Sequence, residues 1–274
     1  MLHFIKSYLK FILKSKNQHG IHSPFVFDLV AKCFYDKTVY AEYEVLKNYR
    51  KSLLENKNFI EVQDFSAGSK VFKSNKRQIS QIAKTAGISK KRAQLLFRIV
   101  KYFKPKQILE LGTSLGLATS ALSLGTPKAK IISLEGCPKT LKQCQKHMLH
   151  TQSQQHSLSS RAQSRDIFNN VQFINTEFST YLKTINQQPT TFDFIYLDSN
   201  HSQRATLEYF DLLLPTVTND SVWIFDDIHW SKDMEEAWQT IKNHPKVTVT
   251  VDTFQWGIIF FRAEQEKEHF VVRV

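Results

Sequence analysis

No stretch of the 274-residue chain reaches the ~18 consecutive apolar residues that a membrane-spanning helix requires, which excludes an integral membrane protein. Cysteine is scarce. Cys33, Cys137 and Cys144 are odd in number and lack CxxC spacing, so neither a disulfide framework nor a cysteine-rich zinc site is expected, and a reducing cytoplasm fits best. Acidic residues are outnumbered, 25 against 37 Lys and Arg, giving a formal charge of +12 that suits an anion, nucleic acid or an acidic membrane surface without naming one. Lysines interrupt the apolar runs of the first segment and no small-residue cleavage site follows it, so no secretory leader is expected and the expected location is cytoplasmic. Against these absences stand 42% hydrophobic and 12% aromatic residues, a globular composition in a chain long enough for one or two domains.

The chain divides by pattern near Ser89. Before it, segments 2–16, 24–35 and 40–55 read as helices of an N-terminal α-helical extension, residues 1–88. In the first, Lys6, Lys10 and Lys14 recur at helical spacing, while Leu2, Ile5, Leu9, Ile12 and Leu13 share the opposite face. That face is expected to pack on the domain, with contact to a membrane surface as the alternative. In HGIHSPFVF, Ser23 has the place of an N-cap and Pro24 that of the first helical residue. A glycine-containing segment at 61–70 reads as a turn between helices or as a cover over the mouth of the domain that follows.

From 89 to 274 the period changes, and β-rich runs at 107–111, 130–134, 171–174, 192–197 and 221–225 alternate with helical ones. That alternation marks βαβ units and a parallel sheet with helices on both faces. The runs 246–254 and 256–262 leave room only for a tight turn and are expected to pair antiparallel at the end of the sheet. Residues 151–165, rich in Gln and Ser, read as a mobile insertion.

The sharpest motif is ILELGTSLGLATSAL, residues 108–122: a strand ending after Glu110, a turn from Gly112 through Thr113 and Ser114 to Gly116, then helical spacing. Gly112 permits a sharp turn, and Gly116 presents no side chain to an approaching ligand or helix. The spacing is neither the GxGxxG of dinucleotide sites nor the GK[ST] ending of a phosphate loop, which speaks against dehydrogenase and NTPase readings.

This motif resembles motif I of the class I S-adenosylmethionine (SAM)-dependent methyltransferases, in which an acid, here Glu110, precedes the glycine loop. The resemblance implies a Rossmann-like fold with a mostly parallel seven-stranded sheet and a terminal antiparallel hairpin. It also implies a cofactor site in which Glu135, followed by Gly136 in IISLEG, accepts the ribose hydroxyls. The third strand leads to Asn175, Thr176, Glu177 and Phe178, where such enzymes often carry a Gly-Asp pair, a departure from the pattern; Glu177 and Phe178 are the candidate cofactor contacts there.

Two further segments resemble the catechol and caffeoyl-coenzyme A O-methyltransferase branch: FDFIYLDSNHS, with Asp198 and His201, and VWIFDDIHW, with Asp226, Asp227 and Trp230. The resemblance implies a divalent metal on Asp198, Asp226 and Asp227, with Asp in place of the branch's Asn. All-oxygen ligands favour Mg²⁺, Mn²⁺ or Ca²⁺. Without a metal, Asp226 would accept hydrogen bonds from nearby backbone or the cofactor and Asp227 would be merely solvated; Asp198 is also a candidate catalytic and cofactor-binding residue. His201 and His229 follow the two acidic segments closely and are the candidate general bases or acceptor contacts.

The expected activity is O-methyl transfer from SAM to a hydroxyl of a small molecule. One alternative is methylation of a hydroxyl on a tRNA base; the +12 charge suits it, but the basic residues are dispersed, with modest clusters at 70–77 and 90–98, and no RNA-binding module is recognisable. The other is a SAM-binding protein without catalysis. Homo-oligomerisation is left open.

Overall fold

The computed structural model describes residues 2–63, 74–158, 167–185, 187 and 190–274. In chain order the first elements are α1 (Leu2–Lys14), α2 (Pro24–Leu29), α3 (Glu42–Glu55), β1 (Phe59–Glu61), β2 (Lys76–Gln78), α4 (Ile79–Thr85) and α5 (Lys90–Phe103). Then come β3 (Gln107–Leu111), α6 (Leu117–Gly125), β4 (Lys130–Glu135), α7 (Pro138–Leu158), β5 (Val171–Asn175) and α8 (Phe178–Ile185). The last are β6 (Phe194–Leu197), α9 (Gln203–Leu213), β7 (Val222–Asp226), α10 (Lys232–Asn243), β8 (Val249–Asp252), β9 (Trp256–Phe260) and β10 (Glu268–Val271).

The large sheet has the order β10-β8-β9-β7-β6-β3-β4-β5. It is an α/β Rossmann-like, mostly parallel sheet with eight strands, not the expected seven. The eighth is β10, which runs parallel to β8. The β8–β9 hairpin is antiparallel as expected, and β9 also pairs antiparallel with β7. Strands β6 and β7 are buried along their whole length, which is why they read as unbroken apolar runs. Serines start the helices that matter for the site: Ser202 Oγ accepts from the Ala205 amide at the head of α9, and Ser231 Oγ from Met234 at the head of α10. Ser23 caps α2 with Pro24 behind it, as the sequence implies.

The chain forms two compact units, and none of their boundaries falls at residue 88. One comprises residues 1–36, 107–111 and 178–274. Its core is aromatic, with Tyr196, Trp223, Phe225, Trp238, Trp256 and Phe260 almost fully buried. Gly257 leaves the space that the Trp238 ring fills; a Cβ there would lie 2.6 Å from the indole. Helix α1 packs here through aromatics, with Phe4, Tyr8 and Phe11 surrounding Phe254 at ring-centroid distances of 5.1, 5.0 and 5.4 Å. The aliphatic residues expected to pack inward, Ile5, Leu9 and Leu13, are exposed instead.

The other unit comprises residues 37–106 and 112–177, so α3, α4 and α5 group with α6 and α7. Tyr40 and Tyr43 pack their rings on Phe97 of α5, and Tyr49 and Leu53 of α3 are fully buried. Helix α7 runs on to Leu158, so residues 151–158 are helix and not a loop; buried Thr151 bonds back to the His147 carbonyl. Residues 159–165 of the expected insertion, and 64–70 of the expected glycine turn, lie outside the described residues.

Candidate functional site

In the second unit the chain leaves β3 through a turn that enters the left-handed region three times, at Gly112 (φ +102°), Ser114 (φ +49°) and Gly116 (φ +78°). The turn is tied to the end of β4. The Gly112 and Thr113 amides both donate to the Leu134 carbonyl at 3.0 Å, and the Thr113 and Ser133 hydroxyls lie 2.6 Å apart. Gly116 opens α6 and faces protein: a Cβ there would lie 2.6 Å from both Cys144 Sγ and Tyr49 Oη. The Tyr49 hydroxyl donates to the Leu115 carbonyl at 2.8 Å, holding the turn from behind. Nothing in the α3 sequence signals this role for Tyr49.

Glu135, the last residue of β4, places its carboxylate under the turn. Oε2 accepts from the Ser114 amide at 2.8 Å and Oε1 from the Cys137 amide at 2.9 Å. Burial pushes its pKa up, while the amides of Cys137, Ser114 and Gly136 oppose that shift without cancelling it. Asn175, at the end of β5, donates through Nδ2 to the carbonyls of Glu135 (2.7 Å) and Gly136 (3.0 Å), and so fixes the strand tip. Glu177, two residues on, is exposed.

These residues fit SAM. The amides orient the Glu135 carboxylate, and its two oxygens offer about four lone-pair sites, enough to accept a vicinal diol as well. The turn beside it exposes backbone without bulky side chains, the surface a nucleoside needs.

In the first unit, Glu110 is fully buried in β3 and Phe178 opens α8 with its ring 5.9 Å from Tyr209. The Asp198 amide continues the sheet pairing by donating to the Leu111 carbonyl at 2.9 Å. Its carboxylate lies 3.7 Å from His201 Nε2, and both side chains reach solvent, 20% and 33% exposed. Asp226 differs. It is 4% exposed, with Oδ2 accepting from the Tyr196 hydroxyl (3.1 Å) and Oδ1 from the Asp227 amide (2.8 Å). Asp227 itself takes a left-handed φ of +54°, and its carbonyl accepts from the Trp230 amide at 2.9 Å.

The set Asp198, Asp226 and Asp227 shows no assembled cation cage in this geometry. Each Asp226 oxygen accepts one hydrogen bond from the protein, and among the described residues no three His, Cys, Asp or Glu groups converge as metal ligands. The sequence alternative, in which Asp226 accepts bonds from nearby groups, matches this geometry.

His229 is also spoken for. Nδ1 lies 2.8 Å from Glu235 Oε1, Nε2 lies 2.9 Å from Asp252 Oδ2, and the ring stacks on Phe254. Burial works against its charge, but the bonds to Asp252 and then Glu235 outweigh burial and raise its pKa. A protonated imidazole with both nitrogens bonded to carboxylates is a bridge between α10 and β8, not a general base.

His229→Ala leaves the two carboxylates without their cation and is expected to cost about 3 kcal/mol. The raised His229 pKa supplies stability fully present below 6.5 and lost as pH rises through the folded-state value. The lowered Glu235 pKa supplies stability present above 4.5 and lost as pH falls. Thermal melts of the two proteins should differ most between pH 4.5 and 6.5 and converge on either side; a constant difference from acid to alkaline pH would remove the ionic bridge.

Residues 109–228 match the family described as a methyltransferase domain. No curated protein matches the chain. Among solved structures, the SAH-bound methyltransferase PaMTH1 of Podospora anserina is similar at TM-score 0.55 and 15% identity, covering 88% of this chain and 97% of its own. The O-methyltransferase of Bacillus cereus in complex with SAH gives 0.51 and 16%, over 82% and 92%. The O-methyltransferase TomG of Streptomyces achromogenes, in complex with SAM, gives 0.52 and 13%, over 65% and 82%. The family match spans residues 109–228, and the fold is that of these SAM- and SAH-bound methyltransferases.

Proposed function

We propose that the chain transfers a methyl group from SAM to a hydroxyl of a small molecule, with His201 as the general base and without a metal. The observation that carries this reading is the Asp198–His201 pair. Both come from the FDFIYLDSNHS segment and lie together at a solvent-reachable strand end, whereas Asp226 and His229 are engaged inside the protein.

Glu135 accepts the ribose hydroxyls. SAM supplies an electrophilic methyl on its sulfonium, so the protein need provide only alignment and a proton acceptor. The His201 ring, whose Nε2 lies 3.7 Å from the Asp198 carboxylate, takes the acceptor's proton. As the O–H bond breaks, the oxygen lone pair forms the new O–CH₃ bond and the C–S electrons return to sulfur, giving S-adenosylhomocysteine (SAH).

The test is transfer of labelled methyl from SAM to a panel of phenols and catechols. His201→Gln is expected to lower kcat by about 10²-fold to 10⁴-fold with SAH affinity unchanged, and chelator to leave the wild-type rate unaltered. A rate abolished by chelator and restored by Mg²⁺ would assign the acids to a metal after all.

A further inference from the structure

We propose that α1 is a docking surface for an anionic phospholipid bilayer. The helix rests on the protein through Ser7 and Phe11, 5% and 7% exposed. Opposite them, Ile5, Leu9 and Leu13 form a row at four-residue spacing that points into solvent, 51%, 58% and 86% exposed. Three aliphatic side chains in one outward row have no purpose in packing this helix, because its aromatic side already does so.

Charge selects the occupant. Helix α1 contains no acidic residue, and Lys6, Lys10 and Lys14 run along the flank between the aliphatic row and the buried side. Lys10 and Lys14 also line a cavity of about 240 Å³ beside α1, together with Lys242 and His269. Its two carboxylates are already bridged: Asp252 and Glu235 both hold His229, and His3 also faces Glu235. Burial holds Lys242 below the usual lysine pKa; Asp252 opposes this, and the neighbouring charge of Lys14 adds to it. A second copy of this chain would bring lysines against lysines, whereas lipid phosphates neutralise them. An apolar row entering the acyl boundary with cations beside it is the geometry of an interfacial helix. It needs no spanning segment, and no helix among the described residues is long and apolar enough to cross a membrane.

The test is co-sedimentation of the full chain with phosphatidylcholine vesicles, with and without phosphatidylserine, at low and high salt. Binding is expected only to the anionic vesicles and is expected to weaken with salt. Leu9→Glu and Leu13→Glu should each lower the partition coefficient at least about tenfold. Replacing Lys6, Lys10 and Lys14 together by Gln should lower it about 100-fold. Because Leu9 and Leu13 point outward, the melting temperatures of their Glu variants should stay at the wild-type value, which separates lost docking from lost folding. Equal recovery on neutral vesicles, no recovery on anionic vesicles at low salt, or a dimer in ultracentrifugation that Leu9→Glu dissolves would each overturn the proposal.

Discussion

Gly116→Ala is expected to lower the melting temperature by roughly 6–12 °C and to weaken SAH binding with it. Two costs add. An L residue held at φ +78° loses about 1–2 kcal/mol, and a new methyl in a filled space costs about 1–3 kcal/mol more. The space is filled by Cys144 Sγ and Tyr49 Oη, each 2.6 Å from the Cβ position, and Met148 Cε at 2.8 Å. All three belong to helices buried behind the turn, so the methyl has to push the turn itself. The turn carries Ser114, whose amide orients Glu135. Thermal melts of Gly116→Ala in the Tyr49→Phe background separate the two costs: removing the hydroxyl should recover part of the steric loss, giving a combined effect smaller than the sum. Strict additivity would place the whole cost in the backbone.

Glu135→Ala is expected to lower SAH affinity by about 100-fold, the worth of two hydrogen bonds from a diol to a charged acceptor. The same change strands the Ser114 and Cys137 amides, so unliganded stability should also fall, by about 1–3 kcal/mol. Glu135→Gln tells binding from folding. It keeps the volume and one carbonyl acceptor while replacing the other oxygen by a donor. Melting curves without ligand should therefore show a smaller loss than for Ala, while calorimetric Kd values remain raised. If Glu135→Gln binds SAH like the wild type, the carboxylate does not hold the ribose.

The parts of this molecule legible in the sequence are those whose signal is local. The run into Gly112 and the tip at Glu135 are readable because a buried parallel strand is apolar throughout and its turn needs glycine. Strand β10 is not, since Glu268, Phe270 and Val271 are only partly buried, His269 is exposed, and the strand lies at a sheet edge after a charged stretch without strand periodicity. Helix α1 has two apolar sides. Periodicity cannot choose between them; Phe254, some 240 residues away in sequence, does so by packing with the aromatic side.

The site divides in the same way. Asp226 and His229 have chemically suggestive neighbours in sequence, but Tyr196, Glu235 and Asp252, contributed by other elements, decide which way they face. Asn175 stands where a Gly-Asp pair is expected, and its contribution is two hydrogen bonds to the backbone at Glu135 and Gly136 that no spacing rule encodes. The Gln-rich stretch from 151 lacks the apolar stripe of a helix, yet it prolongs α7 because buried Thr151 anchors it to the turn before.

The most direct measurement is a calorimetric titration of the full chain with SAH, with NAD and ATP as controls. The expected result is saturable binding of one SAH per chain, much weakened by Glu135→Ala, with no binding of NAD or ATP; absence of heat at millimolar SAH, or equal binding of ATP, would contradict the assignment of the glycine turn and Glu135 to SAM.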